Sequence, residues 1–238
     1  MSVLRPGGLE LTDYALEKAG ADKGGRLLDV GCGDGTVAAH IKEKYGLETV
    51  AIDIDKDAVE KAVLKGVDAR VMDAAMLDFD VWEFDTILME CVFSVLKKQE
   101  EAIHEAYCVL KKGGNLIISD LWCTEPDMER WERDYWSAMA QFRKPRVHEN
   151  CGKEEDIPSP YMQDGGIVMK GLLDLLEELE MEVVLFEDRT DDLNTFAAQA
   201  VMDHGSLEKW FESEGSWKPE CGFSKKNGYF LLIAHKPL

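Results

Sequence analysis

Basic residues are scarce in this sequence of 238 residues. Lys and Arg total 27 against 47 Asp and Glu, which leaves a formal net charge of -20 at pH 7. A chain with this excess of acid repels phosphate backbones and anionic lipid headgroups. The composition therefore argues against nucleic acid and against a membrane surface as partners.

Long apolar runs and paired cysteine motifs are also lacking. No run of 18 apolar residues occurs, and the first eight residues lack the apolar core of a signal peptide. The cysteines form no C-x-x-C pair and no dense framework; they stand at positions 32, 91, 108, 123, 151 and 221. Reduced thiols are the default for such a pattern, so we expect a cytoplasmic protein.

What the sequence does have is a normal apolar content, 45%, arranged as strands that alternate with helices. Such alternation predicts a parallel, doubly wound α/β sheet that binds ligands at the carboxyl ends of its strands. The predicted strands are 26–30, 48–54, 69–72, 84–89 and 115–119, then 182–186 and 228–235. The predicted helices are 10–20, 36–45, 55–66, 99–110 and 167–180, with an aromatic, irregular stretch at 121–165.

A loop of three glycines joins the first predicted strand to the next helix. It reads Asp29-Val30-Gly31-Cys32-Gly33-Asp34-Gly35, and the glycines leave the main chain open to a ligand. A dinucleotide fingerprint has Gly or Ala where this chain has Thr36, and it receives a pyrophosphate. The acids Asp29 and Asp34 would repel that group and would suit a ligand that carries an ammonium and a sulfonium.

With this D-x-G-x-G-x-G loop, the chain resembles the class I S-adenosylmethionine (SAM) dependent methyltransferases. The resemblance extends over residues 10–120 and is strongest toward small-molecule methyltransferases of the ubiquinone and menaquinone type. It implies a Rossmann-like sheet of seven strands, the seventh antiparallel, with a helical and aromatic insertion after strand five. It also implies SAM as cofactor and one domain, 1–238, in which 121–165 and 187–228 contact the acceptor.

Candidate cofactor residues stand at the ends of successive strands. Asp53 closes the second strand, where a carboxylate accepts from both hydroxyls of a ribose, and an apolar residue follows it. Asp73 follows the third strand, where it would accept from the amine of adenine. Glu90 and Cys91 end the fourth strand, beneath the methyl donor. The full predicted set is Asp29, Gly31, Cys32, Gly33, Gly35, Asp53, Ile54, Asp73, Ala74, Glu90 and Cys91.

The acceptor side offers His148 as the candidate general base, since it falls in the aromatic insertion beside the basic cluster 143–146. At the amino end, Arg5-Pro6-Gly7-Gly8 and the helix that contains Thr12, Asp13 and Tyr14 either cover the methionine end of SAM or simply pack on the sheet. No metal site is predicted.

Three other functions fit parts of the pattern. A metalloid methyltransferase of the same fold would bind trivalent arsenic through Cys123, Cys151 and Cys221. A SAM-binding sensor would lack catalysis altogether. A nicotinamide-dependent dehydrogenase would bind NADH in the glycine loop.

Overall fold

The computed structural model describes residues 5–21, 24–142, 159–207, 209–210 and 226–238. The helices are α1 (Gly8–Lys18), α2 (Thr36–Tyr45), α3 (Lys56–Leu64), α4 (Gln99–Val109), α5 (Met128–Phe142), α6 (Met169–Glu178) and α7 (Thr190–His204). The strands are β1 (Arg26–Val30), β2 (Glu48–Asp53), β3 (Asp68–Val71), β4 (Phe84–Glu90), β5 (Leu110–Cys123), β6 (Met162–Gln163), β7 (Gly166–Ile167), β8 (Glu182–Asp188) and β9 (Asn227–His235).

The long strands form one sheet in the order β3-β2-β1-β4-β5-β9-β8. The pairs between neighbours from β3 to β5 are parallel, whereas β9 runs antiparallel to both β5 and β8. This is the Rossmann-like sheet of seven strands with an antiparallel seventh strand, so the predicted fold class is confirmed.

Helices bury apolar side chains on both faces of the sheet. Leu27 packs in a cluster with residues of α1 and α2, while its neighbour Leu28 packs in a second cluster with residues of α4 and α6. Successive side chains of a strand alternate between faces, and both neighbours are buried. The doubly wound arrangement predicted from the order of elements follows from this alternation.

Local signals set several element ends where the sequence predicted them. Gly46 ends α2 with a φ of 66°, a left-handed conformation that glycine adopts without steric cost. Asp55 caps α3, since its side chain accepts a hydrogen bond from the amide of Asp57.

The region after β4 differs from the prediction in three ways. First, β5 begins at Leu110 rather than at Asn115, because the main chain of the 111–114 segment bonds to the end of β9: the amide of Gly113 donates to the carbonyl of Lys236. Second, much of the stretch predicted as irregular is the helix α5, since the prolines flank it rather than interrupt it. Third, α6 begins at Met169, after a short hairpin.

That hairpin, β6–β7, lies at the edge of the sheet where β4 ends. Trp122 of β5 pairs with Ile167 of β7 and, on its other side, with Gly228 of β9. Since β4 is the neighbour of β5 opposite β9, the hairpin continues the sheet just beyond Glu90. This hairpin, which follows the described helix α5, thus lies beyond the carboxyl end of β4.

Candidate functional site

The glycine loop leaves β1 and is fastened to β2. The amides of Gly31 and Cys32 both donate to the carbonyl of Ile52, at 2.8 and 3.0 Å. All three glycines have positive φ values, of 73°, 54° and 75° at positions 31, 33 and 35. Side chains other than glycine are strained in this conformation, which explains why the sequence repeats glycine here.

The three glycines differ in what surrounds them. A Cβ added at Gly31 would lie 2.5 Å from Cγ2 of Val92, and one at Gly35 would lie 2.5 Å from Cβ of Ala62. A Cβ at Gly33 would meet nothing within 4 Å. Gly31 and Gly35 are therefore required for packing, and Gly33 is the position that leaves the main chain open to a ligand.

The two acids of the loop have different surroundings. Asp34 is neutralised: its carboxylate lies 2.6 Å from Nζ of Lys65 and accepts from the amide and hydroxyl of Thr36. Asp29 is buried, and its Oδ2 has no hydrogen-bond partner. Burial raises the pKa of Asp29 to about 8; Glu90 adds to the rise and Arg5 opposes it. Only Asp29 thus presents an uncompensated acceptor.

Cys32 lies within the loop but turns its side chain into the core. The residue is buried and packs with Ala38 and Ala62. Burial raises the pKa of the Cys32 thiol, so the group stays protonated. Cys32 can therefore contact a ligand only through its main chain.

The acid at the end of β2 is linked to the glycine loop. Oδ2 of Asp53 accepts from the amide of Gly33 at 2.8 Å, and Oδ1 accepts from the amide of Asp55 at 2.9 Å. A carboxylate has about four acceptor positions, which leaves about two for other donors. Ile54, next in sequence, is 73% exposed. A carboxylate with free acceptor positions and an apolar side chain thus stand side by side.

The residues predicted to contact adenine, Asp73 and Ala74, lie just after β3. The amide of Met72 donates to the carbonyl of Asp53, which joins the ends of β2 and β3. Oδ1 of Asp73 accepts from the amide of Ala75 at 2.9 Å, and Ala74 is buried. Asp73 therefore forms a tight turn beside the end of β2 and retains free acceptor positions.

Glu90, at the end of β4, is buried and ion-paired. Its Oε2 lies 2.8 Å from the guanidinium of Arg5, and the hydroxyl of Thr12 hydrogen-bonds to the same carboxylate. Arg5 also donates to Thr12 and is itself buried. The sequence placed Glu90 correctly at the strand end but did not reveal its cation, because Arg5 lies 85 residues away in a short N-terminal segment.

Cys91 has a strained main chain, with a φ of 56°. Its amide donates to the carbonyl of Ser119, and its sulfur lies 3.1 Å from the hydroxyl of Tyr229. Burial raises the pKa of the Cys91 thiol to about 12. The residue is therefore a protonated thiol that turns the chain sharply where β4 ends.

Asp120 is not among the residues predicted from the sequence. It is buried one residue after Ser119, which pairs with Glu90, so it lies at the same edge of the sheet. Its carboxylate accepts from the amide and the hydroxyl of Ser94 at 2.8 and 2.7 Å. Burial raises the pKa of Asp120 to about 6, although the hydrogen bonds from Ser94 oppose the rise. The sequence does carry a signal for Asp120, since it is an acid that directly follows the apolar residues of a predicted strand.

The helix α1 packs on the sheet and also reaches the site. Asp13 accepts from Nε2 of His40, Nζ of Lys44 and the hydroxyl of Tyr45, at 2.8, 2.7 and 2.9 Å. These bonds fasten α1 to α2, so that Thr12, the preceding residue, reaches Glu90. The helix therefore packs on the sheet, and its role as a cover for the methionine end of SAM stays a prediction.

The candidate base His148 lies outside the described residues, as do Cys151, Cys221 and the basic cluster 143–146. Of the insertion's aromatic residues, Trp131 is buried and donates its ring N–H to the carbonyl of Pro160, whereas Trp136 is 64% exposed. Within the described ranges, no helix is long and apolar enough to cross a membrane. The same ranges hold no group of three His, Cys, Asp or Glu side chains that could bind a metal ion.

Comparison with known proteins identifies a methyltransferase domain. Residues 28–118 match the family model described as a methyltransferase domain. This match supports the resemblance to the class I SAM-dependent methyltransferases. SAM is the cofactor of this family, as the resemblance implied.

Two curated relatives illustrate the match. The phosphoethanolamine N-methyltransferase of Plasmodium falciparum is 27% identical over 94% of this chain and 84% of its own length. The demethylmenaquinone methyltransferase of Thermus thermophilus is 34% identical over 44% of this chain and 50% of its own. The matches to other relatives are shorter: they cover 51%, 25%, 26% and 47% of the length of four of them, about half or less.

Two solved structures share the fold. A Haemonchus contortus phosphoethanolamine N-methyltransferase, in complex with phosphomonomethylethanolamine and S-adenosylhomocysteine, has a TM-score of 0.70 at 16% identity, over 100% of this chain and 55% of that one. The [4+2]-cyclase SpnF has a TM-score of 0.68 at 23% identity, over 97% and 82%. Since the second is described as a cyclase, the acceptor and the reaction have to be argued from the site itself.

Proposed function

We propose that this chain transfers the methyl group of SAM to a small-molecule acceptor by in-line displacement. The observation that carries the proposal is the pairing of an open main chain at Gly33 with an unpartnered, buried carboxylate oxygen at Asp29. The first admits a ligand to the loop, and the second favours a ligand that brings a positive charge.

The proposed cofactor residues are those of the sequence analysis, now with distinct roles. Gly33 would approach the nucleoside with its main chain, while Gly31 and Gly35 hold the loop in shape. Asp53 would accept from ribose hydroxyls with the acceptor positions left free by its two amide bonds, and Ile54 would cover the adenine ring. Asp73 and Ala74 would form the adenine edge. Glu90 and Cys91 would line the methionine end, with Glu90 neutralised by Arg5.

When bound, SAM supplies a methyl carbon activated by a sulfonium. The chain's own residues then have to align the acceptor with that carbon and exclude water. The hairpin β6–β7 lies beyond the end of β4, which suits this role. We therefore retain one domain, 1–238, with acceptor contacts in 121–165 and 187–228.

The acceptor is proposed to be a small molecule that is neutral or cationic where it meets the sheet. Asp120 is a buried acid at that edge, and with a pKa of about 6 it is charged at pH 7, so its field disfavours an anionic group there. The net charge of -20 likewise disfavours nucleic acid. If the acceptor must lose a proton, His148 is the proposed base. We propose a cytoplasmic setting, in keeping with four free thiols among the described residues.

The test is methyl transfer from labelled SAM to a panel of small amines, phenols and quinols, with S-adenosylhomocysteine measured as the common product. We expect one acceptor class to yield a methylated product in stoichiometric amounts. Gly33→Val should abolish turnover, and Gly66→Ala, a glycine of the same conformation outside the loop, should retain it. Tight SAM binding without any methylated product would instead favour the alternative function, a SAM-binding sensor that lacks catalysis.

The arsenite alternative has its own test. Its thiolates would include Cys123, but this residue is buried on β5 and burial raises the pKa of its thiol, which disfavours the thiolate. Arsenite-dependent consumption of SAM that is lost on Cys151→Ser would establish the alternative over the organic acceptor.

A further inference from the structure

Asn227, the first residue of β9, is a buried polar side chain without a hydrogen-bond partner. The residue is 7% exposed, and neither Oδ1 nor Nδ2 bonds to an atom of the residues that the structure describes. A buried side-chain amide is nearly always bonded, because it loses its hydrogen bonds to water and needs others in their place. A side-chain amide that lacks both partners therefore indicates a position where a ligand supplies them.

The other buried side-chain amides differ from Asn227 in this respect. Within the described ranges, Gln99 and Gln163 are also buried, and each is bonded through both of its polar atoms. Oε1 of Gln163 accepts from the main-chain N–H of Asp127 at 2.7 Å, and Nε2 donates to the carbonyl of the same residue at 3.3 Å. A single group that carries an N–H and a carbonyl thus satisfies a whole side-chain amide.

Asn227 lies at the end of the sheet that carries the proposed site. Strands β5 and β9 continue past the last paired residue of β4, and in this extension Asn227 lies opposite Cys123. Residues two apart in a strand share a face, so Asn227 shares the face of Tyr229, whose hydroxyl lies 3.1 Å from Sγ of Cys91. A molecule bound at Asn227 would therefore lie beyond the end of β4, where the acceptor has to approach.

The surroundings of Asn227 restrict the chemistry of the ligand. Its face of this extension also carries Leu121, Cys123 and Tyr229, which are all buried. An anion would accept from Nδ2 and leave Oδ1 without a donor, and a cation would do the reverse. A neutral group with an N–H and a carbonyl side by side satisfies both atoms without bringing a charge into buried surroundings.

We propose that Asn227 recognises the acceptor through an amide or lactam group that lies away from the methylated atom. The N–H of this group donates to Oδ1 of Asn227, and its carbonyl accepts from Nδ2. The inference rests on the proposed function, because it requires methyl transfer to a small molecule. It narrows the acceptor to a compound that carries such a group, and it places the specificity at a residue outside the segment, 28–118, that matches the family model.

The test compares acceptors that differ in one group. A phenol, a primary amine and a quinol are each prepared with a propionamide, a methyl propionate and a propionate arm, and S-adenosylhomocysteine is measured as the common product. Asn227→Leu replaces the side-chain amide by an apolar group of similar shape. Asn115→Leu is the matched control, since Nδ2 of Asn115 donates to the carbonyl of Ala19 at 2.9 Å and Oδ1 bonds to the ring of His235 at 3.1 Å.

We expect the unmodified chain to methylate the propionamide with a kcat/KM about tenfold or more above the other two arms, because only the amide satisfies both atoms of Asn227. Asn227→Leu should abolish this preference and leave the affinity for S-adenosylhomocysteine unchanged. It should also raise Tm by about 2 °C or more, because an unbonded buried amide destabilises the fold. Asn115→Leu should keep the preference and lower Tm, since it breaks two bonds. If Asn227→Leu does not fold, Asn227→Ser should show the same loss of preference.

Equal efficiency with the three arms in the unmodified chain would overturn the inference, and the proposed function would stand. A preference for the amide that survives in Asn227→Leu would overturn it too. A fall in Tm of the size measured for Asn115→Leu would show that Asn227 is bonded within the fold, which also contradicts the inference. If none of the acceptors yields product, the proposed function fails and the inference fails with it.

Discussion

Substitution of Gly33 separates a role in ligand binding from a role in folding. Gly33, Gly35 and Gly66 share the left-handed conformation, with φ values of 54°, 75° and 80°. A Cβ at Gly33 or at Gly66 would meet nothing within 4 Å. At Gly35 it would lie 2.5 Å from Cβ and 2.8 Å from Cα of Ala62. Three alanine variants therefore carry the same conformational strain, and only one of them clashes with the fold.

The magnitudes follow from these distances. A left-handed L-residue costs about 1–2 kcal/mol, and a chain of this size loses about 2–4 °C in Tm per kcal/mol. Gly33→Ala and Gly66→Ala should therefore each lower Tm by roughly 2–8 °C. Gly35→Ala should lower it further, because the main chain of Ala62 cannot move aside as a flexible side chain would.

Cofactor binding should rank the variants differently. Gly33→Ala should weaken the binding of S-adenosylhomocysteine about tenfold, or about 1.4 kcal/mol, and Gly33→Val should weaken it about a hundredfold or more. Gly66→Ala should leave the affinity unchanged, since Gly66 follows α3 outside the loop.

Scanning calorimetry and isothermal titration calorimetry on the four variants give both quantities. If Gly33→Val binds S-adenosylhomocysteine as tightly as Gly66→Ala does, the open face of Gly33 is not the ligand site and the reasoning fails.

Three further predictions concern acids. Asp53→Ala should weaken the binding of S-adenosylhomocysteine by about 1–3 kcal/mol in titration calorimetry if Asp53 accepts from ribose hydroxyls. An effect no larger than that of Asp57→Ala would contradict this role. Because the pKa of Asp29 is raised to about 8, the native chain holds a proton that the unfolded chain has lost, so this residue makes stability fall between about pH 4 and pH 8. Urea unfolding of Asp29→Asn should show a shallower fall, by a few kcal/mol, and parallel profiles would refute the assignment. Asp13→Ala removes the acceptor of three hydrogen bonds from α2, so it should lower Tm by at least about 2 °C and should also weaken cofactor binding. An unchanged affinity for the cofactor would show that α1 does not contribute to the site.

The parts of the fold that the sequence predicted are those set by local chemistry. The glycine loop, the C-terminal Gly46 of α2 and the capping Asp55 of α3 each act within a few residues, so their effect is visible in the sequence. The order of strands followed from the alternation of strands and helices, because parallel strands require crossover helices.

The parts that the sequence did not predict depend on distant contacts. Arg5 pairs with Glu90 and Asp34 with Lys65, and neither spacing is a local pattern. The length of β5 depends on Lys236, at the far end of the chain. The sequence thus named candidate acids at the strand ends, and the structure distinguished the neutralised Asp34 from the unpartnered Asp29.

The central claim is that the loop 31–35 and Asp53 accept a SAM-type nucleoside. Titration of the unmodified chain with S-adenosylhomocysteine, and separately with NADH, tests it most directly. We predict heat of binding at one site per chain for S-adenosylhomocysteine and none for NADH, since Thr36 stands where a dinucleotide fingerprint has Gly or Ala. Heat with NADH alone, or with neither compound, would contradict the account.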